Sequence, residues 1–213
     1  MEIVHPLAAD YAARFSSPEA ELLASISATA HANHAQPHML SGHLQGILLE
    51  MIAGMIRPKR ILEIGTMMGY STICLAKGLD ENGCVHTIEM RDADADVAQE
   101  YFNKAGLQHM IKLHRGNGLE IIPQLKEEWD LVFLDADKVN YIAYYELVMP
   151  RLAKGGFLLA DNVLFHGAVL EEVIKGKNAT AIHAFNLHVR NDPSVTVLML
   201  PFRDGLTLIR KNN

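Results

Sequence analysis

Cysteine is scarce in this 213-residue chain, which has only Cys74 and Cys84. Both fall in apolar surroundings on what read as separate elements, which excludes a disulfide framework and predicts buried free thiols. Basic runs are missing too. The 19 Lys and Arg stand against 25 Asp and Glu, a formal charge of -6. Binding to a phosphate backbone needs a basic stripe that this chain lacks, so nucleic acid is not an expected partner. The start, Met1-Glu2-Ile3-Val4-His5-Pro6, has neither the basic region nor the apolar stretch of an export signal. The most apolar early run, residues 46–56, is interrupted by Glu50 and is far shorter than the roughly 18 residues of a membrane span. The expectation is a soluble cytoplasmic chain with no membrane partner. What is abundant is apolar side chain, 49% of the total, over a length that suits one domain across residues 1–213.

Residues 1–57 read as helical throughout. Ser17-Pro18-Glu19 makes a plausible helix start, and a second helix is expected from about Ser41 with Leu44, Ile47, Leu48, Met51, Ile52 and Met55 on one face. From residue 58 the pattern changes to short apolar runs at 61–64, 85–88, 111–114, 131–134, 157–160 and 195–200, separated by helices of about ten to fifteen residues. That alternation is the signature of βαβ units. Asp92, Asp94 and Asp96 mark the first turn of the helix after the second run, with Gly106 past its end. A seventh run, 206–209, follows the sixth across Pro201-Phe202-Arg203-Asp204-Gly205, too short for a crossover, so the last strand must be antiparallel. The expected fold is α/β, a Rossmann-like seven-stranded sheet of the methyltransferase type with helices on both faces, and the expected N-terminal helical extension precedes this core at residues 58–213.

The first strand ends in Glu63-Ile64-Gly65-Thr66-Met67-Met68-Gly69-Tyr70-Ser71. A dinucleotide turn would place its second and third glycines at 67 and 70, where Met67 and Tyr70 stand, so a pyrophosphate is excluded. An acidic strand residue, a glycine directly beyond the strand and another four residues on suit S-adenosylmethionine instead. Glu89 ends the second strand 20 residues after Gly69, where a carboxylate can accept from both ribose hydroxyls. Glu63, on a central strand, needs a partner, expected to be the cofactor's ammonium or the amides of the turn.

Ligands of a parallel sheet bind beyond the carboxyl ends of its strands. Asp135-Ala136-Asp137-Lys138 follows the fourth run and Asp161-Asn162 the fifth. Asp135, Asp161 and Asn162 then offer three hard oxygens, which favour Mg²⁺ or another hard divalent ion such as Ca²⁺ or Mn²⁺ over zinc.

With these motifs, at 62–71, 130–141, 155–167 and 204–210, the chain resembles the cation-dependent class I O-methyltransferases that use S-adenosylmethionine and include catechol and caffeoyl-CoA O-methyltransferases. The resemblance covers about residues 40–210. It implies Asp135, Asp161 and Asn162 as metal ligands and Lys138 as general base, with Asp135 beside it in catalysis. The cofactor contacts it implies are Glu63, Gly65, Gly69, Tyr70, Ser71, Glu89 and Asp135, with Asn117, Gly118 and Leu119 flanking the adenine. It further implies a phenolic, catechol-like small-molecule acceptor and a homodimer. Met67-Met68, Asn117-Gly118 and Phe165 depart from the family's usual residues, which bears on pocket shape and leaves the ligand set whole.

Lys138 can act as a base near neutral pH only if its surroundings lower a reference pKa of about 10.4. Two rivals remain. A nucleic-acid base methyltransferase of this fold would carry Asn-Pro-Pro-Tyr where this chain has residues 135–138, and a catalytically silent S-adenosylmethionine-binding module has no need of the three ligands and the lysine. His31, His34, His38 and His43 match no common zinc spacing and read as solvent or acceptor-pocket residues. His166 is expected to wall the acceptor site. A CoA ester would call on Arg14, Lys175, Lys177 or Arg190 for its phosphates.

Overall fold

The computed structural model describes residues 4–213, so Met1-Glu2-Ile3, part of the start in which no export signal is read, lies outside the described residues. At its centre is β1 (Arg60–Ile64), hydrogen-bonded in parallel to β2 (Cys84–Glu89) on one side and to β4 (Trp129–Leu134) on the other. The sheet continues through β3 (Ile111–Arg115), β5 (Leu152–Asp161), β6 (Val195–Leu200) and β7 (Leu206–Lys211) in the order β3-β2-β1-β4-β5-β7-β6. As the short Asp-Gly turn requires, β7 runs antiparallel to both β5 and β6.

Period-two alternation divides the strands between two apolar cores. Ile61, Leu131, Phe133 and Leu159 face a core shared with α3 (Gly42–Ile56), α4 (Tyr70–Ala76) and α5 (Asp92–Lys104). Leu62, Ile64, Val132 and Leu134 face a second core built with α7 (Tyr141–Val148) and α8 (Lys177–Arg190). Because β1 feeds helices on opposite faces through its neighbours, the strand ends of β1, β2, β4 and β5 open a crevice where the connections diverge.

Several local expectations are corrected. The first 57 residues are not helical throughout: α1 (Pro6–Arg14), α2 (Glu21–Asn33) and α3 are separated at residues 15–20 and 34–41. Ser17-Pro18-Glu19 does not start a helix. Instead α2 begins at Glu21, and Glu19 accepts a hydrogen bond from the Tyr70 hydroxyl. This distant contact overrides the local signal. Asp96 lies beyond the first turn of α5 and pairs with Arg115 at 2.6 Å. Only Cys74 is fully buried, Cys84 being half-covered where β2 begins. Helices α4, α7 and α6 (Gly118–Ile121) have seven, eight and four residues, shorter than expected. The early apolar run is longer than read, since the 20-residue stretch Pro37–Ile56 holds an 18-residue window of mean hydropathy 1.3. Leu49, Ile52 and Ala53 on it are buried in the core, while Met51 and Met55 are exposed.

One buried pair makes stability pH-dependent. His86 on β2, 4% exposed, stacks on His114 of β3 with a 3.1 Å hydrogen bond between ring nitrogens, and meets the edge of Trp129. Burial, reinforced by His114 and Lys112, pushes the His86 pKa down to about 4. A histidine that folding keeps neutral contributes stability above its unfolded pKa of about 6.5 and loses it as pH falls toward the folded value. Between pH 6.5 and 4 the loss should approach about 3 kcal/mol. Urea unfolding at stepped pH should show a steeper decline for the wild type than for His86→Phe, and equal slopes would refute the account.

Candidate active site

Local chemistry at the end of β1 demands glycine. Gly65 has φ 103°, and a Cβ placed on it would lie 2.0 Å from the Asp135 carbonyl oxygen. Three strand ends are laced at this point, Asp135 N donating to Ile64 O at 2.9 Å between β4 and β1, and Gly65 N to Ile88 O at 3.0 Å between β1 and β2. Gly69, φ 83°, precedes α4 and sits against Phe102, whose ring would be 2.5 Å from a Cβ. Both glycines are therefore required by close approach as well as by backbone angle.

Glu89 braces this turn. One carboxylate oxygen accepts from Met67 N at 2.7 Å and the other from Arg91 N at 2.9 Å. Arg91 in turn pairs with Asp94 at 2.6 Å. Each Glu89 oxygen keeps a lone pair for a ribose hydroxyl. Glu63 is satisfied differently from the expectation. It is fully buried, and one of its oxygens accepts from the hydroxyls of Thr72 and Thr87 while the other has no partner. Burial pushes its pKa up to about 7.

These elements frame a cavity of about 560 Å³. Gly65, Tyr70, Ser71, Glu89, Gly118, Asp135, Lys138 and Asn162, all singled out from the sequence, lie on its wall. Five others do not. Glu63 is beneath the turn and Gly69 supports it. Asn117 caps α6 by accepting from Leu119 N at 3.0 Å, which keeps both off the wall, and Asp161 stands directly behind Asn162. The opposite wall includes His38, Met39, Leu40 and Ser41, ahead of α3, with Phe165 and His166 beyond β5. Phe165 and His166 have φ 44° and 56°, a left-handed run continued by Gly167 at 81° and held where Asp204 accepts from His166 N. Such strained backbone concentrates at ligand sites.

At the ends of β4 and β5 the charges converge. Lys138 Nζ donates to Asp135 Oδ1 at 2.8 Å and to the Tyr141 hydroxyl at 2.6 Å. Tyr141 shares its proton between the carbonyls of Leu134 and Asp161, at 3.2 and 3.0 Å, so it ties the two strand ends to the lysine. Asp161 accepts from Asn162 N at 2.8 Å and from the Gln45 side chain at 2.7 Å. Burial, then the nearby Asp135 charge, pushes the Asp161 pKa up to about 6. A carboxylate whose proton affinity is raised by a second one, beside a carboxamide oxygen, fits a hard divalent cation.

Lys138 departs from the requirement for a base. Burial alone would push its pKa down, but Asp135 and then Tyr141 outweigh burial and hold it well above the ordinary lysine range. As arranged, it is an ammonium. The early histidines scatter: His31 bonds Ser27 O, His43 bonds Ser17 O, His34 approaches Asp94 at 3.3 Å, and His38 alone of the four reaches the cavity wall. No three His, Cys, Asp or Glu side chains cluster for a metal among the described residues. Sequence reasoning assigns no site role to Gln45, Arg203 or Asp204, although it singles out the 201–205 turn and the 204–210 stretch; all three reach the site region in the fold.

The O-methyltransferase family model matches residues 13–212. The catechol O-methyltransferase of Niastella koreensis is 37% identical over 155 residues, covering 71% of this chain and 69% of its own. A probable caffeoyl-CoA O-methyltransferase of Dictyostelium discoideum is 32% identical over 181 residues, 82% and 79% of the respective chains. Among solved structures, the O-methyltransferase of Bacillus cereus in complex with S-adenosylhomocysteine superposes with a TM-score of 0.89 at 27% identity, covering 97% of each chain. TomG of Streptomyces achromogenes, in complex with S-adenosylmethionine, gives 0.88 at 30% identity over 96% and 95%.

Proposed function

The chain belongs to the O-methyltransferase family, whose catechol and caffeoyl-CoA members it matches, and on that premise we propose that this S-adenosylmethionine-dependent enzyme methylates a vicinal dihydroxy aromatic acceptor with the aid of a divalent cation. The observation that carries the reading is the convergence of Asp135, Asp161, Asn162 and Lys138 at two neighbouring strand ends, with Asp135, Lys138 and Asn162 on the wall of the cavity that the glycine turn also lines.

Glu89 would accept from the ribose hydroxyls while its other lone pairs hold the turn in place. Gly65 lets the backbone of that turn approach the cofactor, and Tyr70 and Ser71 complete its wall. Asp135, Asp161 and Asn162 would hold the cation. When bound, such an ion lowers the pKa of a coordinated phenol and orients its oxygen. Lys138, whose Nζ lies 2.8 Å from Asp135 Oδ1, would receive the acceptor proton once it is deprotonated. Burial already opposes the charged form of Nζ, and a cation that drew on the Asp135 charge would weaken the chief influence that offsets it.

The test is a panel of catechol, caffeate and caffeoyl-CoA with labelled cofactor, with and without chelator. Turnover on at least one vicinal diol, lost on chelation, is expected, as is a roughly 100-fold or greater loss of S-adenosylhomocysteine affinity in Glu89→Ala, from hydrogen bonds to a charged group worth about 1.5–3 kcal/mol each. Methylation of a monophenol in preference to every diol would overturn the acceptor reading.

The chain is also proposed to form a homodimer through its N-terminal segment. No described residue of α1 is buried, and Leu7, Tyr11 and Phe15 are exposed on it, an apolar face that suits an interface. Sedimentation at micromolar concentration should give the dimer mass, and a monomer there would refute it.

A further inference from the structure

Among the described residues, Gln45 is the one carboxamide that reaches the Asp161 carboxylate from outside its own loop. It lies in the first turn of α3, 1% exposed, and its Nε2 donates to Asp161 Oδ2 at 2.7 Å across 116 residues of sequence. Its orientation is not free. Gln45 Oε1 accepts from the Arg203 guanidinium, and the second Arg203 nitrogen donates to Leu40 O at 3.1 Å. Flipping the amide would turn its carbonyl against a carboxylate and its NH₂ against a cation, so Arg203 dictates that the donor faces Asp161.

Arg203 is itself fixed. It sits at φ 50° in the turn between β6 and β7, and that turn is pinned to the stretch after Asn162, where Leu164 N donates to Asp204 O at 2.9 Å and Val163 N to Gly205 O at 3.2 Å. The result is a closed circuit: α3 and the hairpin turn grip Asp161 from one side, while Asn162 N holds its other oxygen at 2.8 Å. Each carboxylate oxygen then has a fixed direction and one lone pair left over, directed by partners that are not themselves cation ligands. The same guanidinium holds Leu40, and Leu40 belongs to the segment that walls the cofactor cavity.

We propose that Gln45 and Arg203 are positioning residues that present the Asp161 carboxylate to the divalent cation, and that through Leu40 they couple cation affinity to occupancy of the cofactor cavity. The inference rests on the reading of Asp135, Asp161 and Asn162 as the cation site. Linkage makes the coupling reciprocal, so S-adenosylhomocysteine should tighten the cation by the same factor by which the cation tightens S-adenosylhomocysteine.

The experiment is Mn²⁺ titration of the whole protein followed by electron paramagnetic resonance, with and without S-adenosylhomocysteine, so that turnover plays no part in the readout. Gln45→Leu and Arg203→Leu should each weaken Mn²⁺ by about tenfold or more, the usual cost of losing a partner that orients a ligand. The double variant should be no weaker than the worse single, because both break one circuit. Arg203→Lys, which can still donate to Gln45 but cannot also span to Leu40, should keep Mn²⁺ affinity and lose the tightening by S-adenosylhomocysteine. The Arg203 side chain is at the surface, so its variants report even if Gln45→Leu does not fold. Asp161→Asn is the reference. If it abolishes Mn²⁺ binding while Gln45→Leu and Arg203→Leu stay within twofold of wild type, the clamp is wrong and the cation site stands. If Asp161→Asn binds Mn²⁺ like wild type, the cation site falls and the clamp falls with it. Tightening that persists in Arg203→Lys refutes the coupling through Leu40.

Discussion

Asp161→Ala is expected to lose turnover by about 10³-fold or more at ordinary Mg²⁺, because a cation that stabilises developing charge is worth several kcal/mol and each 1.36 kcal/mol is tenfold in rate. The substitution removes one of two carboxylates from the proposed donor set, whose remaining oxygens would come from Asp135 and Asn162. It also leaves the buried Gln45 amide without its acceptor. Added Mg²⁺ should restore part of the rate, since the defect is one of affinity. Lys138→Ala should behave differently. The three oxygens proposed to hold the cation stay in place, so Mn²⁺ affinity should change little, while turnover near neutrality drops by about 10²-fold or more, the typical worth of a positioned acid or base. Raising the pH should then recover rate as the acceptor hydroxyl ionises unaided. Steady-state rates against Mg²⁺ and against pH separate the two. A wild-type enzyme that keeps its full rate in excess EDTA would remove the cation from the account, and a Lys138→Ala enzyme at wild-type rate would reduce the lysine to a tie between Asp135 and Tyr141.

Gly65→Ala should be the most damaging single methyl group that can be added to this protein. Its Cβ would be 2.0 Å from the Asp135 carbonyl oxygen and 2.8 Å from the carbonyl carbon, both backbone atoms. They cannot retreat without breaking the bond from Asp135 N to Ile64 O. The left-handed backbone adds strain of about 1–2 kcal/mol for any residue with a Cβ. Together these should cost more than about 4 kcal/mol, the range reached only when backbone or core packing is violated. Gly42→Ala provides the contrast. Gly42 is also left-handed, at φ 73°, but nothing lies within 4 Å of its Cβ position, so it should cost only about 1 kcal/mol. Urea unfolding measures both, and binding of S-adenosylhomocysteine should fail in Gly65→Ala while surviving in Gly42→Ala. A Gly65→Ala protein within 1 kcal/mol of wild type would show that the β1 and β4 ends are not rigidly apposed.

The pattern of apolar runs was enough to place all seven strands, and the five-residue Pro201–Gly205 connection was enough to reverse the last one, because strand period and turn length are local properties. The glycine turn, Glu89, and the pairs at 135–138 and 161–162 were legible for the same reason, since each ends or directly follows a strand and a parallel sheet gathers its strand ends on one side. The boundaries in the first 57 residues were not. Glu19 is held by Tyr70 and α2 begins later than its Ser-Pro signal, a choice made by a side chain 51 positions away.

The state of each site residue was likewise decided by tertiary contacts. Lys138 read as a base in want of a lowered pKa, yet the Asp135 and Tyr141 oxygens on which it lies hold it charged. Glu63 was expected to need the cofactor or the turn, and found Thr72 and Thr87 instead. Gln45 and Arg203 had no local pattern to betray them, being 158 residues apart in the chain and joined by one hydrogen bond. The sequence by itself determined the order of elements and which residues stand at the strand ends, because periodicity and turn chemistry act over a few residues. Only the folded structure decided which of those residues are charged, braced or linked, because burial and hydrogen bonding depend on what the rest of the chain brings within about 3 Å.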